Sequence, residues 1–392
     1  MDVETLKNQH PQVTLLDAND TSSLEHYLRT QNWLRVQETI VSVTKAGEGN
    51  MNYTLRVATV QQRPFPMQRT FIVKQARPWV EKYPQMKAPW DRILQEAKFY
   101  TITAKHSSIA QAMPHLMGVD SVSRVAIFED LGEASDLSSL YQEGRSLTIS
   151  QLETLIEWLS KLHGLSSTQA QRQALRNRDM RALNHEHIFI LPFRSAAECP
   201  ETTSTIPGSD LDALTPGLGT LAAEIREDAL LAKAIARLGQ HYYLKDGPVL
   251  LHGDFFPGSW LDTPSGVRVI DPEFAFFGAA EFDVGVFLAH LVLARQPEAL
   301  IEQLVTTYLF SGYYRDFSPD VVIQIAGSEI LRRLIGVAQL PLNVSLCQKR
   351  KWITAARAMV LEPQSMHNRL SRLSQMTPHD SPSDSVGPQS PR

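Results

Sequence analysis

Cysteine is scarce in this chain: of 392 residues only Cys199 and Cys347 are cysteine. Two thiols without a C-x-x-C spacing exclude a disulfide framework and a thiolate metal centre, and they suit a reducing compartment. A surplus of one charge is missing too. Thirty-eight basic residues against 42 acidic ones leave a net charge of −4, so no global field recruits nucleic acid or an anionic membrane. Long apolar runs are absent: "VGVFLAHLVLA", residues 284–294, is too short to span a bilayer and carries His290. The opening "MDVETLKNQH" lacks the basic start and apolar core of a secretory signal. The expectation is a cytoplasmic protein with neither membrane nor nucleic acid as partner. No G-x-S-x-G elbow occurs, which removes the most familiar hydrolase reading.

What is present is an ordinary globular composition, 43% hydrophobic and 20% charged, on a chain long enough for two or three domains or two lobes. "SSLEHYLRTQNWL" spaces Leu24, Tyr27 or Leu28, and Leu34 at roughly helical intervals. "TIVSVTKAGEGNMNYTLRVATV" is rich in β-branched residues on both sides of Gly47-Glu48-Gly49 and reads as a hairpin. "RTFIVKQA", residues 69–76, is a further strand between Pro-rich loops at 64–66 and 84–89. "WDRILQEAKFYTITA" predicts a helix with Ile93, Leu94, Ala97 and Tyr100 on one side and Asp91 at its N-terminus. "SRVAIFEDLG" ends a strand in an acidic turn. Beyond about 135 helical periods dominate, as in "QLETLIEWLSKLHGL" and "ALIEQLVTTYLFSGYY", with short strands around 249 and 267. The fold class is therefore α+β: a small sheet-rich lobe with a leading helix over 1–130, a larger helical lobe over 131–375, and a Ser/Pro-rich tail at 376–392 expected to be disordered.

Two aspartates stand out. Asp254 in "LHGDFFPGSW" and Asp271 in "VIDPEF" lie seventeen positions apart, each behind apolar residues, where a carboxylate is costly to desolvate unless a cation meets it. Phosphoryl transfer needs a phosphate cradle, a lysine, divalent metal and a carboxylate beside the attacking hydroxyl. The chain offers each in order. Gly47, Gly49 and Asn50 of "GEGN" can lay backbone amides over phosphates, although a glycine pair between strands is by itself only a turn. Alternation puts Lys74 on the face opposite Val73, where it must find an anion, and Glu96 on the following helix can hold it. Asp254 follows the strand-like "PVLLH" and can orient or deprotonate a hydroxyl. Asp271 is the better-placed oxygen ligand for magnesium, with Glu273 as helper and Ser259 as a weaker ligand from the loop of Asp254. Histidines elsewhere weigh little: "NHEHIF", 184–189, lacks zinc spacing and reads as a loop near the substrate end of the cleft, and His163 reads as a packed residue.

The ordered set "GEGNMN", "FIVKQARPWV", Trp90 of "APWDRILQEAKFY", "IFEDLG", "LHGDFFPGS", "IDPEFAFFG" with "FDVG", and "LRRLIG" resembles the aminoglycoside phosphotransferase and choline kinase superfamily, small-molecule relatives of protein kinases. Within it the methylthioribose kinase group is most similar, and the motifs run from about 45 to 336. The resemblance implies a bilobal protein-kinase-like fold, ATP as donor, and a hinge whose backbone at Glu129, Asp130 and Leu131 meets the adenine. It makes Asp254 the catalytic base, Asp271 and Glu273 the metal-side carboxylates for Mg2+, Lys74 the phosphate contact, and Arg332 and Arg333 an arginine pair beside a sugar acceptor. A homodimer rests on family likeness only. Successive helical residues differ by about 100°, so both arginines are not expected to point straight at one ligand. The sequence departs from the group at Phe255, Phe256 and Pro257, where Leu-His-Thr is usual, which predicts an apolar, bulky floor beside the base; Ser259 agrees with the group. The expected acceptor is a methylthioribose-like sugar, the alternatives an aminoglycoside, an amino alcohol or another sugar, and a non-catalytic nucleotide-binding pseudokinase is the rival from another class.

Overall fold

The structure, a computed structural model, describes residues 3–47, 51–61, 66–194, 210–309, 317–340 and 342–365. Glu48, Gly49 and Asn50, Cys199 and the 376–392 tail lie outside the described residues. Two helices lead, α1 (Val3–Gln9) and α2 (Thr21–Thr30). Then come β1 (Glu38–Lys45), β2 (Tyr53–Gln61) and β3 (Met67–Gln75), and the short pair β4 (Trp79–Val80) and β5 (Tyr83–Lys87), which replaces part of the loop expected at 84–89. Next are α3 (Arg92–Thr103), α4 (Ser107–Ala110), β6 (Leu116–Asp120) and β7 (Val125–Glu129). Five strands form one antiparallel sheet in the order β1-β2-β3-β7-β6.

Strand alternation gives this sheet two uses. Leu55, Val57, Phe71, Val73, Val125 and Ile127 face one way and pack with Leu24, Tyr27 and Leu28 of α2, a helix begun by Asp20, whose side chain accepts from Ser23 N–H. Ala126 and Phe128 face the other way and pack with Ile93, Phe99 and Tyr100 of α3. Lys74 pairs in register with Thr54 and Ala126 and so lies on the α3 face, as alternation requires. Asp91 is the N-cap residue of α3 but makes no capping bond; its carboxylate takes Arg124 Nε at 2.6 Å.

The second half contains β8 (Ser135–Asp136), α5 (Ile149–His163), α6 (Gln169–Ala174), α7 (Arg178–His185), α8 (Leu211–Leu214), α9 (Leu218–Arg226) and α10 (Ala229–Leu238). Four short strands follow: β9 (Val249–Leu251), β10 (Trp260–Thr263), β11 (Gly266–Val269) and β12 (Phe276–Gly278). Helices α11 (Glu281–Leu293), α12 (Glu298–Leu309), α13 (Pro319–Ile335) and α14 (Leu346–Leu361) complete the chain. α5 opens with a reciprocal capping box between Thr148 and Gln151 and buries Leu152, Leu155, Ile156, Leu159 and Leu162. α11 is buried nearly all round, including Asp283 and His290, which makes it the axis of the helical part. Among the described residues no helix is long and apolar enough to cross a membrane.

One buried acid braces β1, β2 and β3. Glu38 is 1% exposed, takes Arg69 Nε at 2.5 Å and Nη2 at 2.9 Å, the Arg35 N–H at 2.6 Å, and the Thr59 hydroxyl. Burial alone would raise its carboxyl, but these donors outweigh it and hold the group down at about 2, against an ordinary 4.5. With the folded value depressed, the stabilisation is present above pH 4.5 and fades as pH falls toward 2. The stability gap between the wild type and Glu38→Gln is expected to be on the order of 3 kcal/mol at pH 7 and to narrow by pH 3. Urea unfolding at both pH values measures it, and a gap that does not change with pH removes the assignment.

Candidate active site

The Lys74 ammonium, 6% exposed, lies between the sheet and the second half of the chain. It donates to both Glu96 oxygens, at 3.0 and 2.9 Å, and to Asp271 Oδ1. Burial pulls its pKa down, but Asp271, Glu96 and Glu273 together overcome this and drive it up, so it stays charged. Burial pushes Glu96 upward, and Lys74 offsets that only in part because Asp271 and Glu273 repel it. The helix α3 that carries Glu96 also carries Arg92, which has no exposed surface. Arg92 Nε donates to Asn52 Oδ1 at 2.8 Å and stands 3.7 Å from Glu273 Oε2; Asn52 Nδ2 donates to the same Glu273 oxygen at 2.8 Å. Glu273 is thus a buried clasp between the sheet side and the loop after β11, and its carboxyl is pushed upward by burial against the pull of Lys74 and Arg92. Asp271, in the left-handed region at φ 61°, keeps a side chain 46% exposed and is the carboxylate of this group most accessible to solvent.

The loop after β9 is built around buried donors and acceptors. Asp283 of α11 accepts the N–H groups of His252 at 2.7 Å and Gly253 at 2.9 Å, and its Oδ2 lies 3.2 Å from His163 Nε2. The positive φ of Gly253, 85°, and a Cβ that would collide with the Phe274 carbonyl, require glycine there. The His252 imidazole joins the two aspartate segments: Nε2 donates to the Ile270 carbonyl at 2.9 Å, and Nδ1 accepts from the Asp254 N–H at 3.4 Å. Burial lowers its pKa despite Asp283, in keeping with that neutral tautomer. Ser259, expected as a weak metal ligand, is 2% exposed and spends its hydroxyl proton on the Asp254 carbonyl at 3.0 Å; it braces the loop and has only acceptor lone pairs left.

Asp254 faces the arginine pair, whose two side chains approach the same carboxylate oxygen. Arg333 Nη2 donates to Asp254 Oδ1 at 3.3 Å, and Arg332 Nη2 lies 3.7 Å from the same oxygen. Burial raises the Asp254 pKa, opposed by Arg333 and Arg332 and assisted by Glu329. The two phenylalanines also differ. Phe255 has no exposed surface; it stacks on Trp158 with centroids 5.5 Å apart and an interplanar angle of 4°, and meets Trp260 and Phe287. It belongs to the core and not to a pocket floor. Phe256 alone of the two stays half-buried beside Asp254, with the Arg333 guanidinium 4.8 Å above its ring.

Of the other expected site residues, Gly47 follows β1 at φ 67°, while Gly49 and Asn50 lie outside the described residues. Glu129 ends β7, with its N–H given to the His115 carbonyl at 2.9 Å and its Oε2 accepting the His115 N–H at 3.1 Å. Asp130 Oδ1 takes Arg56 Nη2 at 2.8 Å and the Gly132 N–H at 3.0 Å, and Leu131 is half-buried. The "NHEHIF" segment is not a loop: it ends α7 and continues as a π-turn over Glu186–Ile190. Burial, with the charge of Arg332 adding, holds His187 down at about 4. His163 is packed as expected, although its Nδ1 has no partner among the described residues. Asn52, Arg92, His252, Asp283 and Glu329 were not anticipated. "FDVG" contained Asp283, and the only available signal was a charged residue inside an apolar helical run.

Residues 42–318 match the phosphotransferase enzyme family, and the chain belongs to it. Similar proteins include the methylthioribose kinase of Exiguobacterium sibiricum, 27% identical over 268 residues, which cover 66% of this chain and 62% of that enzyme. The methylthioribose kinase of Geobacillus sp. strain WCH70 is 24% identical over 377 residues, 84% of this chain and 88% of that one. Methylthioribose kinase 1 of Oryza sativa subsp. japonica is 46% identical over 80 residues, only 20% and 18% of the two chains. The chain thus spans less than two thirds of the Exiguobacterium enzyme and under a fifth of the rice one. A choline/ethanolamine kinase family protein from Mesorhizobium loti has a solved structure 16% identical, with a TM-score of 0.48 over 91% of this chain and 99% of that one.

The separate fates of the two phenylalanines are testable. Phe255→Ala is expected to cost about 3–5 kcal/mol of stability, read in urea unfolding. Phe256→Ala is expected to leave stability within about 1 kcal/mol of the wild type. Equal losses in both variants contradict the placement of Phe255 in the core.

Proposed function

We propose that the chain is an ATP-dependent kinase that moves the γ-phosphoryl group to a hydroxyl of a small, uncharged, polyhydroxylated acceptor, a methylthioribose-like sugar first among them. The observation that carries the reading is the meeting of Lys74, Glu96 and Asp271 across 197 positions of sequence, with Asp254 tied to the Asp271 segment through one imidazole. The names of the relatives point to methylthioribose. The acceptor end supports an uncharged ligand: Arg332 and Arg333 are balanced by Glu329 and Asp254, so neither a polycationic aminoglycoside nor an anion finds a strong complementary field.

In this reading Asp254 accepts a hydrogen bond from the acceptor hydroxyl, orients its oxygen toward the phosphorus and takes its proton as the new O–P bond forms, while the bond from the γ-phosphorus to the β–γ bridging oxygen breaks and ADP leaves. A base buried enough to have its pKa raised is better matched to neutral pH than an exposed aspartate. Lys74 neutralises phosphate charge, Glu96 keeps it in place, and the Gly47 turn and the backbone of 129–131 receive the phosphates and the adenine. Arg332 and Arg333 orient the acceptor. Mg2+ fits the chemistry of the site: the carboxylates of Glu96, Asp271 and Glu273 outnumber the cations they meet, Lys74 and Arg92, and a carboxylate is a hard oxygen donor. Asp271 would hold the ion, with Glu273 limited by Asn52 and Arg92 and Ser259 by its burial, and bound Mg2+ would supply charge neutralisation at the phosphates. Among the described residues no cluster of three His, Cys, Asp or Glu is set to hold a metal, so phosphate and water oxygens would complete the shell. A cytoplasmic location and a homodimer complete the proposal.

A coupled assay with ATP, Mg2+ and a panel of methylthioribose, other pentoses, choline and kanamycin tests the reading. Turnover is expected with methylthioribose, and Asp254→Asn is expected to lower kcat by roughly 10²–10⁴-fold while the melting temperature still rises with ATP. An ATP-dependent thermal shift without turnover on any acceptor would make the protein a nucleotide-binding scaffold. Full activity in Asp254→Asn would remove the base assignment.

A further inference from the structure

We infer that Glu329, held from behind by His290 and Tyr141, is a positioning residue that fixes both guanidiniums of the arginine pair against Asp254. The inference rests on the kinase reading only for what the arginines recognise; the clamp itself is a matter of geometry. Glu329 precedes Arg332 by three residues and Arg333 by four, the two spacings at which helix neighbours share a face. One carboxylate therefore gathers two side chains that leave the helix about 100° apart. Arg332 gives Nε to Oε2 at 2.7 Å and Nη2 to Oε1 at 2.9 Å, and Arg333 gives Nε to Oε1 at 2.7 Å. His290 Nε2 reaches Oε1 at 3.2 Å. Four N–H groups are about what one carboxylate can accept, and Glu329 has no exposed surface. It has neither access nor capacity to touch an acceptor. Its effect must pass through the arginines.

The support continues inward. With Nε2–H donated to Glu329, His290 Nδ1 accepts the Tyr141 hydroxyl at 2.6 Å, and burial keeps the imidazole neutral. His290 lies seven residues after Asp283, two turns along the same face of α11. That one helix thus holds the backbone of the Asp254 loop through Asp283 and the arginine clamp through His290, so base and acceptor contacts share one rigid reference. Phe256 fills the space between, with the Arg333 guanidinium on its ring and His290 5.2 Å away.

The test uses purified full-length protein with ATP and methylthioribose as probes, and phenylglyoxal labelling of Arg332 and Arg333 followed by peptide mass spectrometry. Glu329→Gln is expected to raise the KM for methylthioribose by about tenfold or more while the KM for ATP stays within about twofold, and to speed the labelling. Tyr141→Phe, which removes only the last hydrogen bond, is expected to move both readouts the same way by about twofold to fivefold. A folded Glu329→Gln protein with wild-type acceptor KM and wild-type labelling overturns the inference. If Glu329→Gln does not fold, Tyr141→Phe decides on the same two readouts. If the wild type does not phosphorylate methylthioribose, the acceptor reading fails, and the labelling rates alone uphold or overturn the clamp.

Discussion

Lys74 is the constraint on which the architecture turns. An ammonium without water is several kcal/mol unfavourable unless carboxylates replace its hydration, and the partners it finds, Glu96 and Asp271, come from a helix and from a loop nearly two hundred residues away. Satisfying that single charge docks α3 on the sheet and brings the loop after β11 beneath both. Glu273, Asn52 and Arg92 repeat the same logic one step deeper. The excess of negative charge that results is an asset if divalent metal and phosphate enter together, since each then neutralises what the other brings.

The helical half has a comparable centre in α11. Its polar residues are few and all engaged, with Asp283 satisfying two loop amides and His290 supporting Glu329. Buried polar groups need partners, so these contacts determine the path of the Asp254 loop as firmly as the apolar packing of Phe255 against Trp158 does. The Asp254 carboxylate is therefore placed by rigid helices through its neighbours, while its Oδ1 faces the arginines.

Much of this is readable from the chain because strands and helices impose simple periods. Alternation assigns Lys74 to the face opposite Val73, helical spacing puts Ile93, Ala97 and Tyr100 on one side of α3, and apolar flanks mark Asp254 and Asp271 as carboxylates needing a cation. Periods fail where two elements compete for the same residue. Phe255 and Phe256 are chemically identical neighbours, yet one enters the aromatic core and the other remains half-buried beside Asp254. The short strands β4 and β5 occupy what Pro-rich composition suggests is loop, and "NHEHIF" becomes a helix end with a π-turn.

Local periodicity and the chemistry of single side chains suffice to define the class of fold, the strands and helix that carry Lys74 and Glu96, and the residue types able to handle phosphate, metal and a hydroxyl; all of these are legible along the chain. Three-dimensional packing alone settles that Arg332 and Arg333 converge through Glu329, that Glu273 is a clasp and Asp271 the exposed carboxylate, and that His252 joins the two aspartate segments. Such choices depend on which buried donor can reach which acceptor across elements distant in the chain, and a one-dimensional pattern carries no distances.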